Sequence, residues 1–198
     1  MQTRGHRTHN EPKKENTMTT IELAKGTYAI DASHSEIGFQ VRHLGISSVK
    51  GSFGALEGTV QAGGSLAALS ASASIQAASI DTRNTDRDNH LRSADFFDAE
   101  KHPALQFKSN GVVDKGNGEF TMAGTLTIRG VAKPIELKGE FQGSAKDPWG
   151  NEKVAFTASG KLNRTDYGLN WNAVLEAGGL LVSEEVKLVL DVQAVKQA

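Results

Sequence analysis

Alternation with a period of two runs through most of this 198-residue chain and restricts it to folds built from strands with one buried face. In residues 36–44, Ile37, Phe39 and Val41 share one parity, and Glu36, Gln40 and Arg42 the other. The segment 119–129 sets Phe120, Met122, Gly124, Leu126 and Ile128 against Glu119, Thr121, Thr125, Thr127 and Arg129. Three more runs follow the same rule: Ile135, Leu137, Gly139 and Phe141; Val154, Phe156, Ala158, Gly160 and Leu162; and Val186, Leu188, Leu190 and Val192. A weaker run at 70–78 places Ile75 among alanines, and Leu105 and Phe107 begin a strand after Pro103. Between residues 48 and 62 the phase slips at Gly54 and Ala55, which predicts a β-bulge bending one long strand. The count is about eight strands, separated by turn signals such as DKGNG at 114–118 and DPWG at 147–150. Only residues 85–94 read as a helix, followed by the Phe96-Phe97 pair.

Eight antiparallel strands form either a sandwich or a closed barrel. A sandwich interdigitates two inner faces and needs bulk on both. Here the apolar parity repeatedly carries small residues: Ala71, Ala73, Gly124, Gly139, Ala158 and Gly160. Glycine reaches 21 residues against 4 prolines, and aromatics make up only 6% of the chain. Singly, such glycines mark close backbone approaches. Together they favour a barrel whose interior its own side chains do not fill, and eight strands are enough to hold one elongated ligand.

The charges nearly cancel, with 22 Lys+Arg against 23 Asp+Glu and a net of −1, which argues against a nucleic-acid partner. Cysteine is absent, so disulfides, thiolate metal sites and cysteine nucleophiles are excluded. Residues 1–18 read as a disordered tail preceding one domain at 19–198. The first 17 residues carry no apolar run, and no later stretch approaches the roughly 18–20 apolar residues that span a bilayer. The expectation is a cytoplasmic protein.

Four separated segments resemble one family. They are YAIDASHSEIGFQVRHLGISSVKGSFGALEGTV at 28–60, SIDTRNTDRDNHLRSADFFDAEKHPALQFKS at 79–109, LTIRGVAKPIEL at 126–137 and NRTDYGLNWN at 163–172. In this order they are similar to the YceI-like, polyisoprenoid-binding family. The resemblance implies an all-β fold, an extended eight-stranded antiparallel lipocalin-like β-barrel with one short helix over a loop region. It further implies a hydrophobic tunnel holding an isoprenoid chain, such as a polyprenyl lipid or a quinone tail. Many relatives of this kind carry an export signal, which is not visible here.

The inward parity supplies the expected tunnel wall: Ile37, Phe39, Val41, Phe53, Ile75, Phe107, Phe120, Met122, Leu126, Leu137, Phe141, Phe156, Leu162, Leu188 and Leu190. Phenylalanine rings and methionine suit prenyl methyl groups. Polar head-group candidates lie in 81–98, with Asn84, Arg87, His90 and Arg92 on a lid at the barrel mouth. The structural alternative for that segment is an Arg92–Asp95 pair fastening the helix, with Asp81 and Thr82 capping a turn and Phe96-Phe97 plugging the barrel end. Arg164, Asp166 and Trp171 read as a latch made of an Arg–Asp pair and an indole.

No metal or cofactor is expected. His34, His43, His90 and His102 lack ligand-type spacing, and the chain has no GxSxG elbow, P-loop or dinucleotide fingerprint. The leading expectation is a non-enzymatic carrier of an apolar lipid, with transient membrane contact. A general scavenger of apolar molecules such as fatty amides or antibiotics is the alternative. An enzyme would require an acid–base cluster deep in the tunnel. An unclosed barrel edge, together with the family resemblance, points to a homodimer.

Overall fold

The computed structural model describes residues 21–176 and 178–198. The expected tail lies outside these residues, as do positions 19 and 20 of the expected domain. Eleven strands form one antiparallel sheet: β1 (Gly26–Ile30), β2 (Glu36–His43), β3 (Ser47–Phe53), β4 (Leu56–Ala62), β5 (Leu69–Gln76), β6 (Ile80–Asp81), β7 (Ala104–Gly116), β8 (Glu119–Ile128), β9 (Val131–Lys146), β10 (Glu152–Asn163) and β11 (Val182–Lys196). One helix, α1 (Thr85–Arg92), interrupts them.

The sheet is a closed ring. β1 and β2 both pair with β11, at Ile30↔Ala194 and Glu36↔Asp191, so they are two halves of one long strand. β3 and β4 are likewise one strand, paired to β2 and β1. They break at Gly54 and Ala55, where the alternation slips, so the predicted bend is present. β5 and β6 form the third composite strand, and β7 to β11 follow in order. The fold is therefore an eight-stranded antiparallel up-and-down barrel. The ring closes through the β1–β11 pairing, whereas toward the helix end β3 has beyond β2 only the two-residue strand β6 beside it.

Local chemistry fixes the ring. The β7–β8 turn is Asn117-Gly118 and the β8–β9 turn is Arg129-Gly130, all at positive φ, the geometry that matches the twist of a tight hairpin. α1 starts at its N-cap Asn84, whose side chain accepts from the Arg87 N–H, and has Asp86 and Asp88 in its first turn and His90 and Arg92 in its last. It ends two residues before the expected Ala94, because both the hydroxyl and the N–H of Ser93 donate to the His90 carbonyl.

The two ends of the barrel differ. At the β1 end, Leu66 and Tyr28 are fully buried with Leu23, Leu69 and Ala194 around them. Leu66 sits in a 3-10 turn, Leu66–Ala68, and the Tyr28 hydroxyl donates to the Ala24 carbonyl, so this end is a solid plug. At the other end α1 and residues 164–171 lie over the barrel.

The kink joining β1 to β2 is held by one carboxylate. Asp31 accepts from the Ser33 hydroxyl at 2.6 Å, the Ser33 N–H at 3.1 Å and the Gln193 amide at 3.3 Å, and pairs with the His34 ring at 2.8 Å. The Ser33 hydroxyl bond, followed by the His34 contact, holds its carboxyl well below the usual carboxylate range. A depressed folded pKa contributes stability that is present above the unfolded value, about 3.9, and lost as the pH falls below it. Asp31→Asn is therefore expected to be less stable than wild type at pH 7, with the gap narrowing steadily below about pH 4. Denaturant unfolding between pH 7 and pH 2 checks this, and a gap independent of pH contradicts it.

Candidate functional site

The barrel encloses a cavity of about 560 Å³, within the range of small-molecule sites. Its wall runs from Ile30, Val60 and Leu69 above the plug to His43, Leu181 and Val182 at the helix end. Of the expected wall residues, Ile37, Phe39, Val41, Phe53, Ile75, Phe107, Phe120, Met122, Leu126, Leu137, Phe156, Leu162, Leu188 and Leu190 stand in this wall. Phe141 does not. β9 carries one extra residue between Phe141 and Gly143 opposite β10, and the Phe141 ring packs on Phe156 with centroids 5.5 Å apart.

Residues the sequence reading passed over include Val49, Leu105, Ile128, Ile135, Val186 and Val192, together with Leu169 and Trp171. All six of the first group share the parity of the expected wall residues on their strands, so the signal was present. Leu169 and Trp171 lie in a loop without periodicity.

The inward glycines work differently from the simple expectation that small residues leave space. A Cβ at Gly51 would overlap the Phe39 ring, at Gly124 the Phe107 ring and at Gly139 the Phe120 ring, while at Gly160 it would press on Leu137. In each case the larger side chain, on β2, β7, β8 or β9, leans onto the glycine of the next strand. The glycine leaves room for the neighbouring Phe or Leu side chain to lie over it. Space in the barrel results because the rings are folded against the wall, which an added Cβ would prevent.

The polar side chains of the lining are His43, Ser72, Thr82, Asp86, Arg87, His90 and Arg164. All but Ser72 lie at the helix end. Arg87 donates from Nε to the Thr82 hydroxyl at 2.7 Å and from Nη2 to the Thr82 carbonyl at 2.8 Å. The Thr82 hydroxyl in turn donates to buried Asp88 at 2.5 Å. The His90 ring meets Trp171 and Phe96 edge-on, at 4.7 and 5.1 Å between centroids, and its Nε2 lies 2.9 Å from Asp95 Oδ2. Phe96 is buried, and Phe97 packs edge-on against Phe53; both line the cavity beneath α1.

Two of the four head-group candidates therefore reach the cavity. Asn84 caps the helix, and Arg92 reaches away to donate to the Ala78 and Ile80 carbonyls, each at 2.8 Å. The alternative Arg92–Asp95 pair is replaced by His90–Asp95, because the guanidinium is already engaged by the chain entering α1. Asp81 does cap a turn, accepting from the Arg83 N–H at 2.6 Å.

The latch also has a different anatomy. Buried Arg164 donates to the carbonyls of Ser183 (2.9 Å), Trp171 (2.9 Å), Leu169 and Val182, and not to Asp166. Burial pushes this guanidinium below its ordinary pKa, opposed by the Glu184 charge, yet an arginine remains protonated. Carbonyl dipoles take the place of a counter-ion. Among the described residues no cluster of three His, Asp or Glu has metal-ligand geometry. No described helix is long and apolar enough to cross a membrane.

A closed up-and-down barrel, plugged at one end and containing an apolar cavity with polar groups at the other, defines a protein of the lipocalin-like class. The YceI-like domain model matches residues 28–194, and the chain belongs to that family. A UPF0312 protein of Vibrio cholerae is 41% identical over 145 residues, covering 72% of this chain and 77% of that protein. The crystal structure of a Campylobacter jejuni YceI protein superposes with a TM-score of 0.67 at 33% identity, covering 79% of this chain and 90% of that one. A domain from Saccharophagus degradans, described as polyisoprenoid-binding and implicated in plant cell wall breakdown, shares the fold at 16% identity with a TM-score of 0.64, covering 86% and 98%.

Substitutions at two positions test this geometry. Gly139→Ala is expected to drive the Phe120 ring off the wall, costing about 1–3 kcal/mol in thermal unfolding and shrinking the cavity; an unchanged Phe120 position in the variant's crystal structure contradicts it. Arg164→Met leaves several carbonyls without donors and is expected to cost about 3 kcal/mol or more. Arg164→Lys recovers only part of that, because a single ammonium does not reproduce the guanidinium fork.

Proposed function

We propose that the protein is a non-enzymatic carrier that holds the isoprenoid tail of a polyprenyl lipid or quinone inside the barrel. The observation that carries this reading is the segregation of polarity along the cavity. Its deep wall is apolar apart from Ser72, and its charged side chains gather at the helix end. That distribution suits a molecule with one long apolar tail and one polar head. The polyisoprenoid-binding description of the Saccharophagus degradans domain adds support by analogy of fold.

In this reading the tail lies among Phe39, Phe107, Phe120 and Met122, and the head meets Arg87 and His90. Burial removes apolar surface from water at about 25 cal/mol per Å². A bilayer offers the same tail a similar environment, so the exchange between the two is nearly balanced, as a carrier requires. A catalytic reading needs an acid–base cluster beside the reacting bond, whereas the ionisable groups of this cavity stand at its rim.

Mass spectrometry of an organic extract from purified protein is expected to return a prenyl lipid in near-stoichiometric amount. Competition with a fatty amide measures selectivity, and equal affinities reject the isoprenoid assignment. Leu190→Trp, which projects a larger side chain into the cavity, is expected to weaken prenyl binding about tenfold or more while the barrel stays folded. Unchanged affinity places the ligand elsewhere.

A further inference from the structure

We infer that the barrel mouth carries a bilayer-docking rim made by two adjacent loop tips, and that its partner is the surface of a neutral phospholipid membrane. The first tip is the β2–β3 hairpin, where Leu44 is 41% exposed and Ile46 81% exposed. The second is the Val174↔Leu180 bridge, whose two residues are 81% and 45% exposed. The tips are joined: the Leu44 N–H donates to the Leu181 carbonyl at 2.9 Å, and Val182 pairs with His43. Of the eight large apolar side chains exposed among the described residues, four are at this rim. The others lie one each on β7, β9, β11 and the β9–β10 turn.

Three observations select a bilayer as the occupant. First, the rim is continuous with the cavity, since Leu181, Val182 and His43 belong to its lining; an apolar chain leaving the barrel there meets apolar side chains before water. Second, the β2–β3 tip is apolar where a hairpin ordinarily takes Asn or Gly. Leu44 holds φ at 54°, a left-handed value unfavourable for leucine, and the tip is braced by Arg42 Nη2 donating to the Gly45 carbonyl at 2.7 Å. Third, the shape and size suit a membrane better than a protein. Four side chains on protruding tips fall far below the roughly 800 Å² that each partner of a stable protein complex buries, while a bilayer accepts apolar tips without a matching groove.

Charge sets the lipid class. The charged residues nearest in the chain are Arg42, Lys50, Glu176 and Glu184, two of each sign, with no net basic cluster of the kind that recruits anionic lipid. The attraction is therefore apolar, and neither salt nor anionic lipid should strengthen it.

The rim builds on the carrier reading only in what passes through it. Its test uses the full chain and no prenyl ligand, so the two readings fail separately. Co-sedimentation with phosphatidylcholine vesicles is expected to show association of the wild type. The double variant Ile46→Asp, Val174→Asp should lower the partition coefficient about tenfold or more, with its near-ultraviolet circular dichroism unchanged because both side chains are exposed. Trp149→Ser, at the far end of the barrel, should leave association unchanged. The inference is overturned if the wild type fails to associate, if association requires phosphatidylglycerol, or if Trp149→Ser weakens it as much as the double variant.

Discussion

The hydrogen-bonded ladder that closes β11 onto both β1 and β2 is what lets this chain leave its centre open. A packed domain is held largely by the side chains that fill it. Here the middle of the barrel holds a cavity, so cohesion comes from the continuous wall and from the plug of Tyr28, Leu66 and Leu69 at one end. The same closure explains the bends. Residues 31–35 stand opposite only Val192 and Gln193, so one strand turns sharply without leaving its partner. The Asp31 cluster fixes that turn.

The open end meets a different demand. Its loops expose carbonyl groups that the ladder does not satisfy, and each such group needs a donor when buried. Arginines supply them: Arg92 to Ala78 and Ile80, Arg129 to Phe96 and Gly168, and Arg164 to Leu169, Trp171, Val182 and Ser183. A guanidinium spans several carbonyls at once in a fixed plane. These donors hold the helix and the Trp171 loop over the cavity alongside the packing of Phe96, Phe97, Leu169 and Trp171 beneath them.

Much of this was legible in the sequence. Period-two alternation located the strands, the phase slip at Gly54 located the bend, and parity put Phe39, Phe107 and Leu190 on the inner face. Three features were not legible, each for a physical reason. Phe141 shares the parity of its strand and stands opposite inward Phe156, but its ring packs on Phe156 instead of lining the cavity. The glycines could be assigned to the inner face, but whether they stood empty or beneath a neighbouring ring depended on cross-strand register. The arginines looked like partners for carboxylates or head groups, because a sequence displays side-chain charges and hides the backbone carbonyls that these arginines meet. β1, only five residues long and ended by the Asp31 turn, had too few alternations to be recognised.

The combined picture is a barrel wall in which the large side chains lie over the glycines of the next strand, around an apolar cavity with polar groups at one end. The most direct test is a crystal structure of the protein purified without detergent. The account predicts elongated density running from the Arg87–His90 end toward Tyr28, with Phe39, Phe107 and Phe120 lying on Gly51, Gly124 and Gly139. An interior in which those rings have swung inward and filled the barrel would contradict it.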